Sequence, residues 1–157
     1  MAFTVVINMQ RGFDTPCTPE NVFALLADVP RSASHFPKVD QLLDLGGNAF
    51  RWEMEKIAIG GYTLQQTIYA CHYTADPLTM HVAWTPVPGV GNAIVQGEWT
   101  IQPKEGGGTT VSLTTKGDLT VDFPSFLEFM ISPLVVMEFT GMIERYLANL
   151  QKSFLSL

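Results

Sequence analysis

Apolar and polar positions along the chain change spacing twice. A short opening of strand and helix gives way to a long run of alternation, and that run gives way to a helical period lasting to the end of the chain. Ala2 to Gln10 has the β-branched and aromatic content of a strand, and Arg11 to Asp14 is expected to turn it. Thr18-Pro19-Glu20 opens a helix, with Thr18 as cap and Pro19 at the first position, where a missing N–H has no intrahelical partner to lose. Val22, Phe23, Leu25 and Leu26 form its apolar stripe, and Asp28-Val29-Pro30 ends it. A second short helix is expected around Arg31 to His35, with Pro37 as its stop.

From Val39 the pattern alternates. Val39 to Leu45 is a candidate strand closed by the turn Gly46-Gly47-Asn48. Phe50 to Ile59 follows, with Phe50, Trp52 and Met54 alternating with Arg51, Glu53 and Glu55, as expected of a sheet with one wet face. Gly60-Gly61 turns the chain into a long strand from Tyr62 to Tyr73, and Thr74 to Pro77 turns it again. Leu78, Met80, Val82 and Trp84 then alternate with Thr79, His81, Ala83 and Thr85. Proline and glycine density makes residues 86–92 irregular. Ala93 to Gln102 and Thr109 to Val121 are the last two strands, joined by a glycine-rich tip, with Gly117 a candidate bulge.

Phe123 to Leu157 reads as a short helix, a break at Ser132-Pro133, and one long helix. Phe139, Met142, Ile143, Tyr146, Leu147, Leu150 and Phe154 recur at three- and four-residue steps opposite Glu138, Glu144, Arg145, Asn149, Gln151 and Lys152. Leu134 to Met137 is apolar all round and is expected to be covered on more than one side. Consecutive strands joined by tight turns make an antiparallel meander whose dry face needs a cover, and the terminal helix is the large apolar element left to provide it. The predicted fold is α+β: a curved antiparallel sheet of about seven strands around a long C-terminal helix, with two short helices between the first two strands. Residues 1–157 read as one domain.

Composition narrows the partners. Nine Lys and Arg against 15 Asp and Glu give a net charge of −6, and the basic residues are scattered, so nucleic acid is not an expected partner. Hydrophobic residues make up 46% of the chain and charged ones 15%, which implies a large core, an apolar cavity or an exposed apolar surface. No uninterrupted apolar run of about eighteen residues is present, so stable membrane insertion is not expected. The opening MAFTVVINMQRGFD has no basic region or cleavage motif of a signal peptide, and the expected location is cytoplasmic. Cys17 and Cys71 lack ligand spacing and read as two buried or half-buried thiols in a reducing compartment.

Candidate chemistry is sparse. His72 and His81 flank the Thr74–Pro77 turn, and a hairpin could set them opposite each other on one face, but a metal would need a third ligand, and Cys71 points the other way. Glu53, Glu55, Glu98, Asp118 and Asp122 fall on the wet face, and Glu138 on the polar side of the helix, so no carboxylate pair aims at a dry interior. Lys56 turns inward only if its strand has no bulge. No GxSxG elbow, cysteine–histidine motif or phosphate-binding glycine loop is present. No metal or cofactor is expected.

The order of elements resembles the START-like superfamily, also called helix-grip or SRPBCC, of polyketide cyclase/dehydrase and lipid-transport proteins. The segments that carry the resemblance are TPENVFALLADVPRSASHFPKVDQL, YTADPLTMHVAW, VQGEWTIQPKEGGGTTVSLTTKGDL and the ending ISPLVV…YLANLQKSF. The resemblance implies a cavity between sheet and long helix that takes lipids, sterols, polyketides or plant metabolites, with some members acting as cyclases, hydrolases or accessory factors. By period, Trp52, Met54, Met80, Val82, Trp84, Trp99, Phe126, Met130, Val135, Phe139, Met142 and Tyr146 face inward and are the expected ligand contacts. Each alone is better read as plain core, and it is the set that argues for a cavity wall. Tyr62, Gln66, His72 and His81 are candidates for polar contacts, and residues 86–92 and 123–131 for the lips. Between Tyr62 and Tyr73 the parity is open, since Leu64 and Ile68 share one face and Tyr69, Cys71 and Tyr73 the other.

The expected function is binding or transport of a small hydrophobic ligand, without catalysis. A cyclase or dehydratase using His72, His81 or Tyr62 is the alternative. A third reading is an accessory module docking through exposed 86–92 and 123–137 segments, and a homodimer is left open.

Overall fold

In chain order the elements are β1 (Phe3–Thr15), α1 (Pro19–Ala27), α2 (Val29–Ala33), β2 (Val39–Gly46), β3 (Ala49–Met54), β4 (Ile57–Ile59), β5 (Tyr62–Gln65), β6 (Ile68–Asp76), β7 (His81–Pro86), β8 (Ala93–Pro103), β9 (Thr109–Val121), a single 3-10 turn at Ser125–Leu127, and α3 (Glu128–Phe154). They are those of a computed structural model that describes residues 2–59 and 61–157, without the side chains of Ile59, Tyr62 and Leu64. Seven strands form one antiparallel sheet in the order β1-β9-β8-β7-β6-β3-β2, and β4 and β5 pair as a separate hairpin. This is the helix-grip arrangement, with α3 along the dry face.

Local chemistry sets the early helices. Thr18 Oγ1 accepts from the Asn21 amide at 3.3 Å and caps α1, and Asp28 Oδ1 accepts from the Arg31 amide at 3.2 Å and caps α2. Asp28-Val29-Pro30 therefore starts the second helix as well as ending the first, and α2 lies two residues earlier than the sequence pattern places it. β1 also runs past Gln10: Arg11 to Asp14 do not turn but pair with Leu113 to Thr110, because β9 offers a ladder partner at every position from Phe3 to Thr15. Gly117 sits inside that ladder, opposite Ile7 and Val95, with no bulge.

The two long middle strands are each broken, at Glu55-Lys56 and at Gln66-Thr67, which sets the β4–β5 hairpin apart from the main sheet and leaves Lys56 exposed. Asn92 holds the second break. Its Oδ1 accepts from the Ile68 amide at 2.9 Å and its Nδ2 donates to the Gln66 carbonyl at 2.8 Å. The adjoining Gly91, at φ +69°, comes so close that a Cβ there would lie 2.0 Å from the Ile68 carbonyl oxygen. The irregular 86–92 loop is thus a clamp on the start of β6.

α3 differs from expectation in one respect. There is no break at Ser132-Pro133; the helix is continuous, with Pro133 inside it. Proline there denies the Phe129 carbonyl its i→i−4 partner, and the flanking turns are solvent-exposed, where water can serve that group. Val135 is buried, but Met137 is 64% exposed, so Leu134 to Met137 is covered on one side only. Ser125–Phe154 is also long and apolar enough to cross a membrane by length and composition, although apolar and polar residues interrupt one another along it. Its C-terminal part is the packed one, with Phe139, Met142, Ile143, Tyr146, Leu147, Leu150 and Phe154 buried.

Candidate functional site

Alternation sends one set of side chains from each strand toward α3, and the middle of that dry face is not filled. Trp52 from β3, Tyr69 and Tyr73 from β6, Val82 and Trp84 from β7, Val95 and Trp99 from β8, and Leu113, Thr115, Gly117 and Leu119 from β9 line a cavity of about 100 Å³. Ile7 of β1 completes the floor. Leu26, Val29, Ser32 and Phe36 close it from the early helices, Thr67 from the strand break, and Phe139, Ile143 and Tyr146 from α3.

The room comes from small residues at inward positions. Successive inward residues of β9 are Leu113, Thr115, Gly117 and Leu119, so bulk is missing in the centre of the sheet. A Cβ added at Gly117 would stand 3.3 Å from Leu119 Cδ1 and 3.6 Å from Val95 Cγ2. Gly97 acts similarly one strand over. It pairs with Trp84, whose indole lies where a Cβ would be, 2.6 Å from the nearest ring carbon. Glycine at that position lets the indole lie flat against the strand.

Around this space the aromatic side chains form a closed circuit. Phe36 meets Trp52 at 5.8 Å between ring centroids, Trp52 Nε1 donates to Tyr73 Oη at 2.9 Å, and Tyr73 meets Trp84 at 5.9 Å. Trp84 meets Trp99 at 6.4 Å, Trp99 meets Tyr146 at 5.9 Å, and Tyr146 returns to Phe36 at 4.9 Å. Tyr69 stacks on Trp52 with centroids 5.8 Å apart and an interplanar angle of 10°. These separations are those at which edge-to-face and offset-stacked pairs are favourable, each contributing about 0.5–1.5 kcal/mol beyond area burial. The walls are therefore held by their own contacts.

The polar groups inside are hydroxyls, and burial sets their state. Tyr146 Oη shares a short hydrogen bond with Ser32 Oγ, which ties α3 to α2. Burial pushes the phenols of Tyr69, Tyr73 and Tyr146 above their ordinary value, and the Cys71 thiol beside them up to about 12. Cys71 Sγ lies 3.2 Å from the Val95 carbonyl, to which it donates. Among the described residues, Tyr69 Oη has no hydrogen-bond partner, although the residue is only 9% exposed.

Of the side chains expected to face inward, Trp52, Val82, Trp84, Trp99, Phe139 and Tyr146 line the cavity. Met54, Val135 and Met142 are buried in the core beyond it, and Met80 sits in the β6–β7 turn at φ 54°. Phe126, in the 3-10 turn, and Met130, in the first turn of α3, are outward instead, 72% and 56% exposed. The side chain of Tyr62 lies outside the described residues. Gln66 donates to the Met54 carbonyl at the strand break, away from the cavity wall.

His72 and His81 both lie on the outer face, and they are not opposite each other. His72 pairs with Thr85 and His81 with Asp76, and His81 Nε2 meets Glu98 Oε2 at 2.7 Å. Neither reaches the cavity. Among the described residues no three His, Cys, Asp or Glu side chains gather as a metal site. Glu138 joins Lys38 in an ion pair across the turn after α2.

Sequence reading missed most of the lining, among it Ser32, Phe36, Thr67, Tyr69, Tyr73, Thr115 and Gly117. The parity shared by Tyr69, Cys71 and Tyr73 was the available signal for two of them. Ser32, Phe36, Thr67, Thr115 and Gly117 carry no periodic mark.

Similarity to known proteins follows the same outline. Polyketide cyclase/dehydrase and lipid transport is the family description that matches, over residues 7–154. No curated protein matches the chain significantly. A crystal structure of a Thermus thermophilus protein aligns with a TM-score of 0.70 at 21% identity, covering 96% of this chain and 97% of that one. A START superfamily protein from Mycobacterium smegmatis aligns with a TM-score of 0.63 at 13% identity, covering 95% and 97%. The ZhuI aromatase/cyclase from Streptomyces aligns with a TM-score of 0.59 at 16% identity, covering 96% and 92%. These similarities concern the fold. With the family match spanning nearly its whole length, the chain belongs to the polyketide cyclase/dehydrase and lipid transport family.

Proposed function

We propose that the protein binds a small hydrophobic ligand in the cavity between sheet and α3, without covalent chemistry. The observation that carries this reading is the lining itself: apolar and aromatic side chains, a few hydroxyls, and no Asp, Glu, His, Lys or Arg. General acid–base catalysis works best with a group whose pKa lies near the working pH. The cavity phenols, pushed upward by burial, remain protonated at neutral pH. Binding of a small apolar guest agrees with the family description. A cyclase or dehydratase working through His72 and His81 has no support from their positions on the opposite face.

The molecule carries its own reporters, since all three of its tryptophans line the cavity. Titration with toluene should give a saturable change in intrinsic fluorescence, and native mass spectrometry of protein taken directly from its host should detect a bound guest. Gly117→Val places a side chain in the cavity and should abolish the toluene response while leaving the circular dichroism spectrum unchanged. A folded protein with no saturable response and no co-purified guest would defeat the reading.

A further inference from the structure

The cavity does more than admit an apolar guest; three of its features restrict which one. Size is the first. About 100 Å³ is on the scale of the engineered protein cavity of roughly 150 Å³ that takes up benzene, and it is too small for an acyl chain or a fused-ring skeleton. Charge is the second. With no Asp, Glu, His, Lys or Arg among the described lining residues, a charged guest would be buried unpaired, which costs far more than the aromatic contacts return.

The third feature is Tyr69. Of the three cavity phenols, Tyr73 accepts from Trp52 and Tyr146 is engaged with Ser32, whereas Tyr69 Oη has no protein partner among the described residues. Its ring is fixed by stacking on Trp52, so the hydroxyl cannot swing away to find one at little cost. Tyr69 Oη is not among the fully enclosed unpartnered atoms of the described residues, so it keeps access to free space in a residue that lines the cavity. A guest bearing one oxygen beside a ring would find an uncommitted donor there.

We propose that the cavity selects a neutral, single-ring guest bearing one hydrogen-bonding oxygen, with Tyr69 Oη as the group that recognises that oxygen. This rests on the binding reading above and narrows it. Phenol and toluene are nearly isosteric, so their affinity ratio isolates the oxygen. Desolvation of phenol enters that ratio in wild type and variant alike and cancels between them. The measurement is tryptophan fluorescence or calorimetry with toluene, phenol and oleate on the wild type, Tyr69→Phe and Tyr73→Phe.

Tyr69→Phe should bind toluene as the wild type does and lower the phenol-to-toluene affinity ratio about tenfold, the scale of one hydrogen bond. Its melting temperature should be unchanged or raised, since no protein hydrogen bond is lost. Tyr73→Phe should change the ratio less than Tyr69→Phe does, since the Tyr73 oxygen is held in place as the acceptor of Trp52 Nε1. Oleate should fail to compete with toluene. An unchanged ratio in Tyr69→Phe, a ratio that collapses in Tyr73→Phe instead, or oleate displacing toluene would each overturn the assignment while leaving the binding reading standing. Failure of toluene itself to bind would remove both.

Discussion

The two ends of α3 have opposite fates, and the more apolar end is the less buried one. From Phe139 to Phe154 the apolar stripe is buried against the sheet and the early helices, and Leu150 is fully enclosed. From Glu128 to Met137 only Ile131 and Val135 are buried, while Phe129 is 76% and Met137 64% exposed. Composition alone would predict the reverse. What differs is what lies opposite: the C-terminal part has a complete sheet beneath it and α1 and α2 beside it, and the N-terminal part has a partner on one side only. Hydrophobicity states what a helix could bury, and the neighbouring surface decides what it does bury.

The sharpest way to break this comparison is to truncate one side chain from each end. Leu150→Ala should lower the free energy of unfolding by about 2–5 kcal/mol, the range for a large-to-small change in a core that cannot collapse around the gap. Met137→Ala should stay within about 0.5 kcal/mol of the wild type, as exposed positions do. Urea denaturation of both variants at constant m value measures the pair. A loss of more than about 2 kcal/mol for Met137→Ala, well outside that exposed-site range, would mean that the N-terminal half is covered in solution.

A second difference is electrostatic and appears only in alkali. Tyr146, on the packed half, lines the cavity with Tyr69 and Tyr73, and burial raises these three phenols and the Cys71 thiol above their ordinary values. Such acids ionise first in the unfolded chain, which then binds fewer protons than the folded one. Stability conferred by these groups is therefore complete below about pH 9, begins to fall as the unfolded thiol ionises near 9.0, and falls faster once unfolded phenols ionise near 10.0. Each fully differential group adds a slope of about 1.4 kcal/mol per pH unit. Tyr146→Phe should remove one such contribution above about pH 10, whereas no substitution among Phe129, Met130 and Met137 should alter the alkaline slope. Urea midpoints between about pH 8 and pH 11 test it, and an unaltered slope for Tyr146→Phe would show that its phenol is hydrated.

How much of this could be read in advance follows the same division. Trp52, Val82, Trp84 and Trp99 were legible because a two-residue period on a regular strand fixes the face, and Phe139 and Tyr146 because their helix has a clean stripe. Phe126 and Met130 were misplaced by the same reasoning, since a helical period identifies an apolar side but not whether anything stands against it. Tyr69 and Tyr73 were ambiguous because the break at Gln66-Thr67 resets the alternation, and that break depends on Asn92, a distant contact. Thr115 and Gly117 were invisible for another reason. A cavity consists of bulk that is missing, and a pattern of apolar residues records only the bulk that is present.

The smallest effect concerns Pro133, the residue that makes the exposed half differ in backbone as well as in burial. Within an interior helical turn, proline costs about 3 kcal/mol relative to alanine, through its missing amide and its clash with the carbonyl four residues back. That carbonyl belongs to Phe129, in the part of α3 with the fewest neighbours, where water can take the place of the missing donor. Part of any gain from Pro133→Ala would also be cancelled by the greater freedom that alanine gives the unfolded chain. The expected net change is a stabilisation of up to about 1 kcal/mol, read as a higher urea midpoint with the toluene response unchanged. A loss of stability instead would mean that Pro133 itself is needed to seat Ile131 and Val135. The two halves of the helix would then be coupled through the backbone, and burial alone would not account for their difference.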